Sequence, residues 1–224
     1  MIKRFTGNGS HFLISINYFY LSDSTIDSVN VRDAIVCGNE GHGMSILSVY
    51  GDISIRDSSF RDNVQHGIYI YNNYGYMKMT NSTVEDNDQS GVYSNHDEGE
   101  LLIEKSDISR NKDNGIYVRV ATPSDVVLTM VVNSSSVSYN GIKGIMVDHV
   151  SGCNWTFSLT DSDIIGNGDR GVTLAQHIYC VSGGVWDISE STFSDNKNGG
   201  LEMHYAGAIE IKNNQFLTNT GDFP

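Results

Sequence analysis

Residues 53–70 read Ile53-Ser54-Ile55, then Phe60, then Asn63, then Gly67-Ile68-Tyr69-Ile70 at fixed intervals. The same frame returns as Met77-Lys78-Met79, Val84, Asn87 and Gly91-Val92. It returns again as Leu101-Leu102-Ile103, Ile108, Asn111 and Gly115-Ile116-Tyr117-Val118. Followed outward, the Asn positions are Asn39, Asn63, Asn87, Asn111, Asn140, Asn167, Asn196 and Asn219, spaced by 24, 24, 24, 29, 27, 29 and 23 residues. A Gly follows four residues after each of the first seven, Gly67, Gly91 and Gly115 among them, and an apolar residue precedes each Asn by three. Several offsets held through seven or eight copies define a structural repeat.

The apolar-x-apolar pairs have the period of a strand, and each unit carries two clear pairs and a short third around its Phe60 position. Three strands per turn of about 24 residues specify an all-β fold, a right-handed parallel β-helix of about eight coils. Inward aliphatic residues then stack on their counterparts one coil away, about 4.8 Å along the axis. Asn, Gly and Ser recurring within the unit interrupt any helical period. The Asn is expected to sit in the left-handed conformation of a tight corner and to bond its neighbour one coil on. The Gly is expected where a Cβ would crowd the bend. A second series, Ser58, Ser82, Ser106, Ser135, Ser162 and Ser191, is expected to bond backbone at the other turn.

The organisation reads as a partial coil or N-terminal edge over 1–28, an array over 29–219, and a truncated end at 220–224 that continues in a longer protein. In the partial coil, Phe5 and Asn8 match the corner and Phe12 stands at the Gly position. The longer spacings fall after the Gly strand, so insertions collect on one edge, often the binding edge of repeat proteins.

Of 224 residues, 14 are Lys or Arg and 27 are Asp or Glu, for a formal net charge of −13. That balance argues against nucleic acid and against an anionic membrane surface. The apolar stretch from Phe12 to Leu21 is too short to span a bilayer, so membrane attachment would come only through regions outside this chain. Sequons at Asn8, Asn81, Asn133 and Asn154 offer N-glycosylation. Cys153 and Cys180 lie in successive edge loops and offer a disulfide, with Cys37 near a corner. These features favour an extracellular setting.

Tyr69, Tyr93 and Tyr117 occupy one outward position in three consecutive coils. They are expected either to stack as a cross-strand stabiliser or to form a surface for sugar rings or a partner. His96, Arg119 and His149 stand at nearby loop starts and complete the candidate binding surface, with Tyr71, His177, His204 and Tyr205 beside them. Glycans or other cell-surface proteins are the partners such an edge suits. No metal-ligand spacing stands out, and neither metal nor cofactor is expected. An acidic loop, Asp97, Glu98 and Glu100, offers too few oxygens for calcium.

The Asn-x3-Gly-Ile-x-Ile unit resembles the right-handed β-helix repeat of pectin-lyase-like proteins, a fold that hosts lyases, hydrolases, epimerases and non-enzymes. Gly41-His42-Gly43 resembles the Gly-His-Gly signature of polygalacturonases, without that family's other motifs. A glycosidase needs a placed pair of carboxylates, and none is marked. The runs His66–Ile70 and Asn111–Val118 look like coils of the invertebrate bark beetle (anakonda) family. That resemblance implies a large single-pass membrane protein with extracellular β-helix blocks at epithelial junctions, while the regular ladder, the sequons and the lack of an enzyme signature lead to the expectation of a non-catalytic structural or adhesive module. The alternative expectation is a carbohydrate-binding or polysaccharide-cleaving β-helix protein.

Overall fold

The structure, a computed structural model, describes residues 28–49, 51–73, 75–96, 99–120, 128–149, 155–175, 185–204 and 208–221, with the strand backbone of 12–13 and 20–22. Three parallel sheets of 9, 8 and 8 strands run the length of the array. Each coil contributes one strand to each sheet, and every pairing is with the next coil.

One coil shows how the sequence makes this shape. Gly99–Glu104 lies in the third sheet, Asp107–Ser109 in the first and Ile116–Val120 in the second. Alternation puts Leu101, Ile103, Ile108, Ile116 and Val118 inside, all 0% exposed. The registers stack Ile103 on Met79 and Val132, and Ile108 on Val84 and Val137. Each such aliphatic contributes on the order of 1.5–3 kcal/mol, and the interior is one continuous column. Trp155 and Trp186 enter this column in successive coils, with ring centroids 5.0 Å apart. Ser94 is an exception, fully buried where other coils place Ile70 or Val118.

Two single-residue corners turn the chain. Asp33, Asp57, Asn81, Lys105, Ser134, Asp161, Glu190 and Asn213 bend it from the third sheet to the first, with φ between 48° and 54°. Gly38, Asp62, Asp86, Arg110, Tyr139, Gly166, Asp195 and Thr218 bend it from the first toward the second, with φ between 49° and 69°. This corrects the expectation that the repeat Asn takes the left-handed conformation. The residue immediately before it does so, and the Asn is fixed for a different reason.

That reason is hydrogen bonding. Asn87 donates from its backbone N at 3.2 Å and from Nδ2 at 2.9 Å to the same Oδ1 of Asn111. Its second Nδ2 proton goes to the carbonyl of Phe60 at 3.2 Å. The same pattern recurs at Asn111, Asn140, Asn167 and Asn196. An amide carries one acceptor oxygen and two N–H donors, and all are used in a buried site. The Ser series works alike at the other corner. Ser82 Oγ accepts the N–H of Ser58 at 3.2 Å and donates to its own chain's Thr80 carbonyl at 2.8 Å. Asn214 replaces Ser in the last rung, accepting the N–H of Ser191 at 2.9 Å.

Phe12–Leu13 pairs with Ala34–Ile35 in the first sheet. Phe12 therefore does not occupy the Gly position before a second-sheet strand, and the corner match at Phe5 and Asn8 falls in undescribed residues. The second-sheet strands of three successive coils run to Val49, Asn73 and His96. The connections beyond them all join the second sheet to the third, on one edge.

Candidate functional site

The outer face of the second sheet gathers the chemistry that the rest of the solenoid spends on its own rungs. Its strands alternate, so every second residue faces out. One outward row runs Ser45, Tyr69, Tyr93, Tyr117, Met146, Thr173 and Glu202. The next runs Leu47, Tyr71, Asn95, Arg119, Asp148, Ala175 and His204. A third row precedes the repeat Gly: His42, His66, Ser90, Asn114, Lys143 and Arg170.

At the N-terminal end the face is aromatic. Tyr69 and Tyr93 stack with centroids 5.1 Å apart and planes 21° apart. His42 stacks on Tyr69 at 4.4 Å and His66 on Tyr93 at 4.9 Å. These rings cover one another's faces and present mainly edges outward. Tyr117 breaks the stack, standing edge-on to Tyr93 at 82°, and its hydroxyl donates to Asp148 Oδ2 at 3.3 Å. Burial and the Asp148 carboxylate raise the Tyr117 pKa, so at neutral pH it is a hydrogen-bond donor rather than a phenolate base.

The two histidines are acceptors. The backbone N–H of His66 donates to His42 Nδ1 at 3.3 Å, and that of Ser90 to His66 Nδ1 at 3.1 Å. Asn114 Oδ1 does the same for Lys143 N–H at 3.3 Å. His42 is thus a rung, as its place in the series implied. Burial, helped by His42, lowers the His66 pKa from 6.5 to about 4. Between these values the unfolded chain binds a proton that the folded one refuses, so stability falls as pH drops from 6.5 to 4. The expected loss is on the order of 2 kcal/mol. His66→Asn keeps an acceptor for Ser90, and urea unfolding at pH 7 and pH 4.5 should show a smaller acid loss than in the parent chain. An equal loss in both would place the acid sensitivity elsewhere.

Toward the C-terminal end the face is ionic. Lys143 Nζ lies 3.0 Å from Asp169, and Arg170 lies 3.6 Å from Asp169 and 3.0 Å from Glu202. His204 Nε2 is 3.2 Å from the other Glu202 oxygen, and Thr173 donates to Glu202 at 3.3 Å. Burial pushes the Asp169 carboxyl up, but the Asn198 amide, Lys143 and Arg170 outweigh it and hold the pKa below its ordinary value. Arg119 is exposed, and no ion pair holds it among the described residues. It stands in register with Asp148 and beside Tyr117.

The fold therefore brings Tyr69, Tyr93, Tyr117 and Arg119 onto one face. It sets His96 and His149 at strand ends, each in register with Val120. His177, Tyr205, Asp97, Glu98, Cys153, Cys180, Asn8 and Asn154 lie outside the described residues. Cys37 is half-buried with a free thiol. Asn81 is exposed at a corner, and its Nδ2 donates to Asp57 at 2.6 Å. Asn133 is half-buried, its Oδ1 accepting from Thr160 and Ser134. Among the described residues no cluster of His, Cys, Asp or Glu has the form of a metal site, and no helix is long and apolar enough to cross a membrane. Sequence reasoning missed Asp148 and the network of Lys143, Asp169, Arg170 and Glu202. The signal was present, because Lys143 and Arg170 continue the row that begins at His42.

The family model for the right-handed beta helix region matches residues 13–178, well over half of the chain. The chain belongs to the right-handed β-helix family. No curated protein sequence matches it significantly. Among solved structures it is similar to the periplasmic alginate epimerase AlgG, with a TM-score of 0.64 and 15% identity over 81% of this chain and 43% of that one. It is also similar to the A-module of the Azotobacter vinelandii mannuronan C-5 epimerase AlgE6, with a TM-score of 0.54 and 14% identity over 88% of this chain and 64% of that one. The chain thus spans less than two thirds of either epimerase, and the likeness is one of fold.

Proposed function

We propose that this β-helix chain is a non-catalytic, carbohydrate-binding block of an extracellular protein, whose ligand lies on the outer face of the second sheet between Tyr117 and His204. One observation carries the reading. Arg119, Lys143 and Arg170 come from three consecutive coils, beside a Tyr117 hydroxyl and the Asp148, Asp169 and Glu202 carboxylates. Fixed, alternating donors and acceptors suit the hydroxyls of a glycan chain. Rows on adjacent coils are about 4.8 Å apart, the scale of one sugar ring. Arg119 has its charge free for an acidic sugar. The aromatic rings upstream offer edges rather than open faces, so they support the face more than they bind.

Two neighbours in fold act on alginate or mannuronan, one of them periplasmic by its name, which supports a polysaccharide ligand outside the cytoplasm. The sequons and the likeness to bark beetle coils support a cell-surface setting, including the junctional one that likeness implies.

The test is a glycan array followed by titration calorimetry with the best oligosaccharide, mannuronate oligomers included. Arg119→Ala is expected to weaken binding about tenfold or more, the loss of roughly 1.4 kcal/mol. Arg61→Ala, on the first sheet, should leave it unchanged. An array without hits, or equal losses from both variants, sinks the carbohydrate reading. Unsaturated, epimerised or shortened products would overturn the non-catalytic one.

A further inference from the structure

Asn is followed by Gly at 114, 140, 167 and 198 among the described residues. Such a pair is chemically labile when the Gly amide nitrogen can reach the Asn side-chain carbonyl, because Gly has no side chain to obstruct that approach. The four pairs differ sharply in freedom. Asn140 and Asn167 are buried rungs, and their successors Gly141 and Gly168 donate their N–H to Asn111 and Asn140 carbonyls, each at 2.8 Å. Asn114 accepts from Lys143 N–H, and Gly115 N–H is held by the Lys143 carbonyl at 2.9 Å. Asn198 is exposed, in a tight turn over residues 197–198. Among the described residues nothing accepts the Gly199 N–H, and a Cβ built on Gly199 would meet nothing within 4 Å.

We infer that Asn198 is the site of spontaneous deamidation in the folded protein, and that the product rewires the ionic end of the second-sheet face. The Gly199 nitrogen attacks Asn198 Cγ and forms a C–N bond. The Cγ–Nδ2 bond breaks, and Nδ2 leaves as ammonia with the proton from Gly199. Water then opens the cyclic imide at either carbonyl, leaving aspartate or isoaspartate. The change falls on a functional contact. Asn198 Nδ2 donates to Asp169 Oδ1 at 2.8 Å, and Asp169 also anchors Lys143 and Arg170. Deamidation removes that donor and sets a second carboxylate against the first. Lys143 and Arg170 must then serve Asp169 and the new carboxylate at position 198 in addition to Glu202. The chemistry stands apart from the proposed ligand, since it is read as mass rather than as binding.

The folded chain is incubated for days at pH 8 and 37 °C, digested, and its peptides are weighed and assayed for isoaspartate. The peptide holding Asn198 is expected to gain 1 Da at least about tenfold faster than those holding Asn114, Asn140 or Asn167, which must open locally before reacting. In urea the four rates should converge. Asn198→Gln should abolish the fast event without slowing the others. Asn198→Asp, the product without its isoaspartate fraction, should lower the melting temperature by about 2–4 °C at pH 7 and by less at pH 3.5. Equal rates at the four sites in the folded chain, or a fast event at another of them, would overturn the inference. An unchanged melting temperature in the Asp variant would remove its structural consequence.

Discussion

Asn111→Ala is expected to lower the melting temperature by about 10–20 °C, read by circular dichroism, the largest loss from any single exposed or polar position. The effect follows from the atoms left behind. Asn87 N–H and one Asn87 Nδ2 proton lose their acceptor, and the Val84 carbonyl loses its donor. All lie inside the stack, where Asn87 is 0% and Asn111 1% exposed. An orphaned buried polar group costs about 1–3 kcal/mol, and three such groups bring the total to about 3–9 kcal/mol. Asn111→Asp should not rescue the chain. A carboxylate still accepts from Asn87 but cannot donate to Val84 or to Asn140. Asn219→Ala makes the control, because Asn219 bonds the same way but is half-exposed, so water can replace what is lost. A loss below about 1 kcal/mol at Asn111 would mean the amide column is not what joins the coils.

The amide column also explains how much of this molecule its sequence reveals. Asn recurs because its side chain has a bonding task no other residue performs, so the position is visible as a letter. The left-handed corner one residue earlier demands only a backbone angle. Asp62, Arg110, Tyr139 and Thr218 all meet it, with φ from 49° to 57°. A constraint met by such different side chains leaves no fixed letter, and the constant Asn beside it drew the conformation that belongs to its neighbour. Half of the sixteen corner residues are nonetheless Asp or Asn, the side chains that tolerate this conformation best.

The candidate face divides along the same line. Tyr69, Tyr93 and Tyr117 were legible because one residue type repeats at one offset. The Lys143, Asp169, Arg170 and Glu202 network was legible only in part, because Lys143 and Arg170 continue the row of His42 whereas Asp169 and Glu202 stand outside that row. Lys143 meets Asp169 one coil on, and Arg170 meets Glu202 a further coil on. Ring orientation was hidden too. The 82° turn at Tyr117 separates a self-covered stack from a hydroxyl held out to Asp148, and nothing in the spacing distinguishes the two.

Gly115→Ala should be the second most damaging change, costing about 3 kcal/mol, against the usual rule for this substitution. Replacing Gly by Ala ordinarily stabilises by about 0.4–1 kcal/mol, since the unfolded chain loses freedom. At Gly115 the new Cβ would stand 2.6 Å from Val137 Cγ1, 2.7 Å from Asn140 Nδ2 and 2.7 Å from the Gly144 carbonyl. One of those neighbours is backbone, and it accepts the Ile116 N–H at 2.9 Å. Making room means lifting one coil off the next or tilting the Asn140 amide out of its column, and overpacking of that kind costs about 1–3 kcal/mol, sometimes more. Gly38 separates crowding from backbone strain. Its φ is +69°, and nothing stands within 4 Å of a Cβ built there. Gly38→Ala should therefore cost only about 1–2 kcal/mol, and Gly38→Asp less, since Asp62 and Asp86 hold the equivalent corners with φ of 57° and 55°. Urea unfolding that ranked the two glycines in the opposite order would show that corner conformation, and not the closeness of successive coils, limits what this repeat can accept.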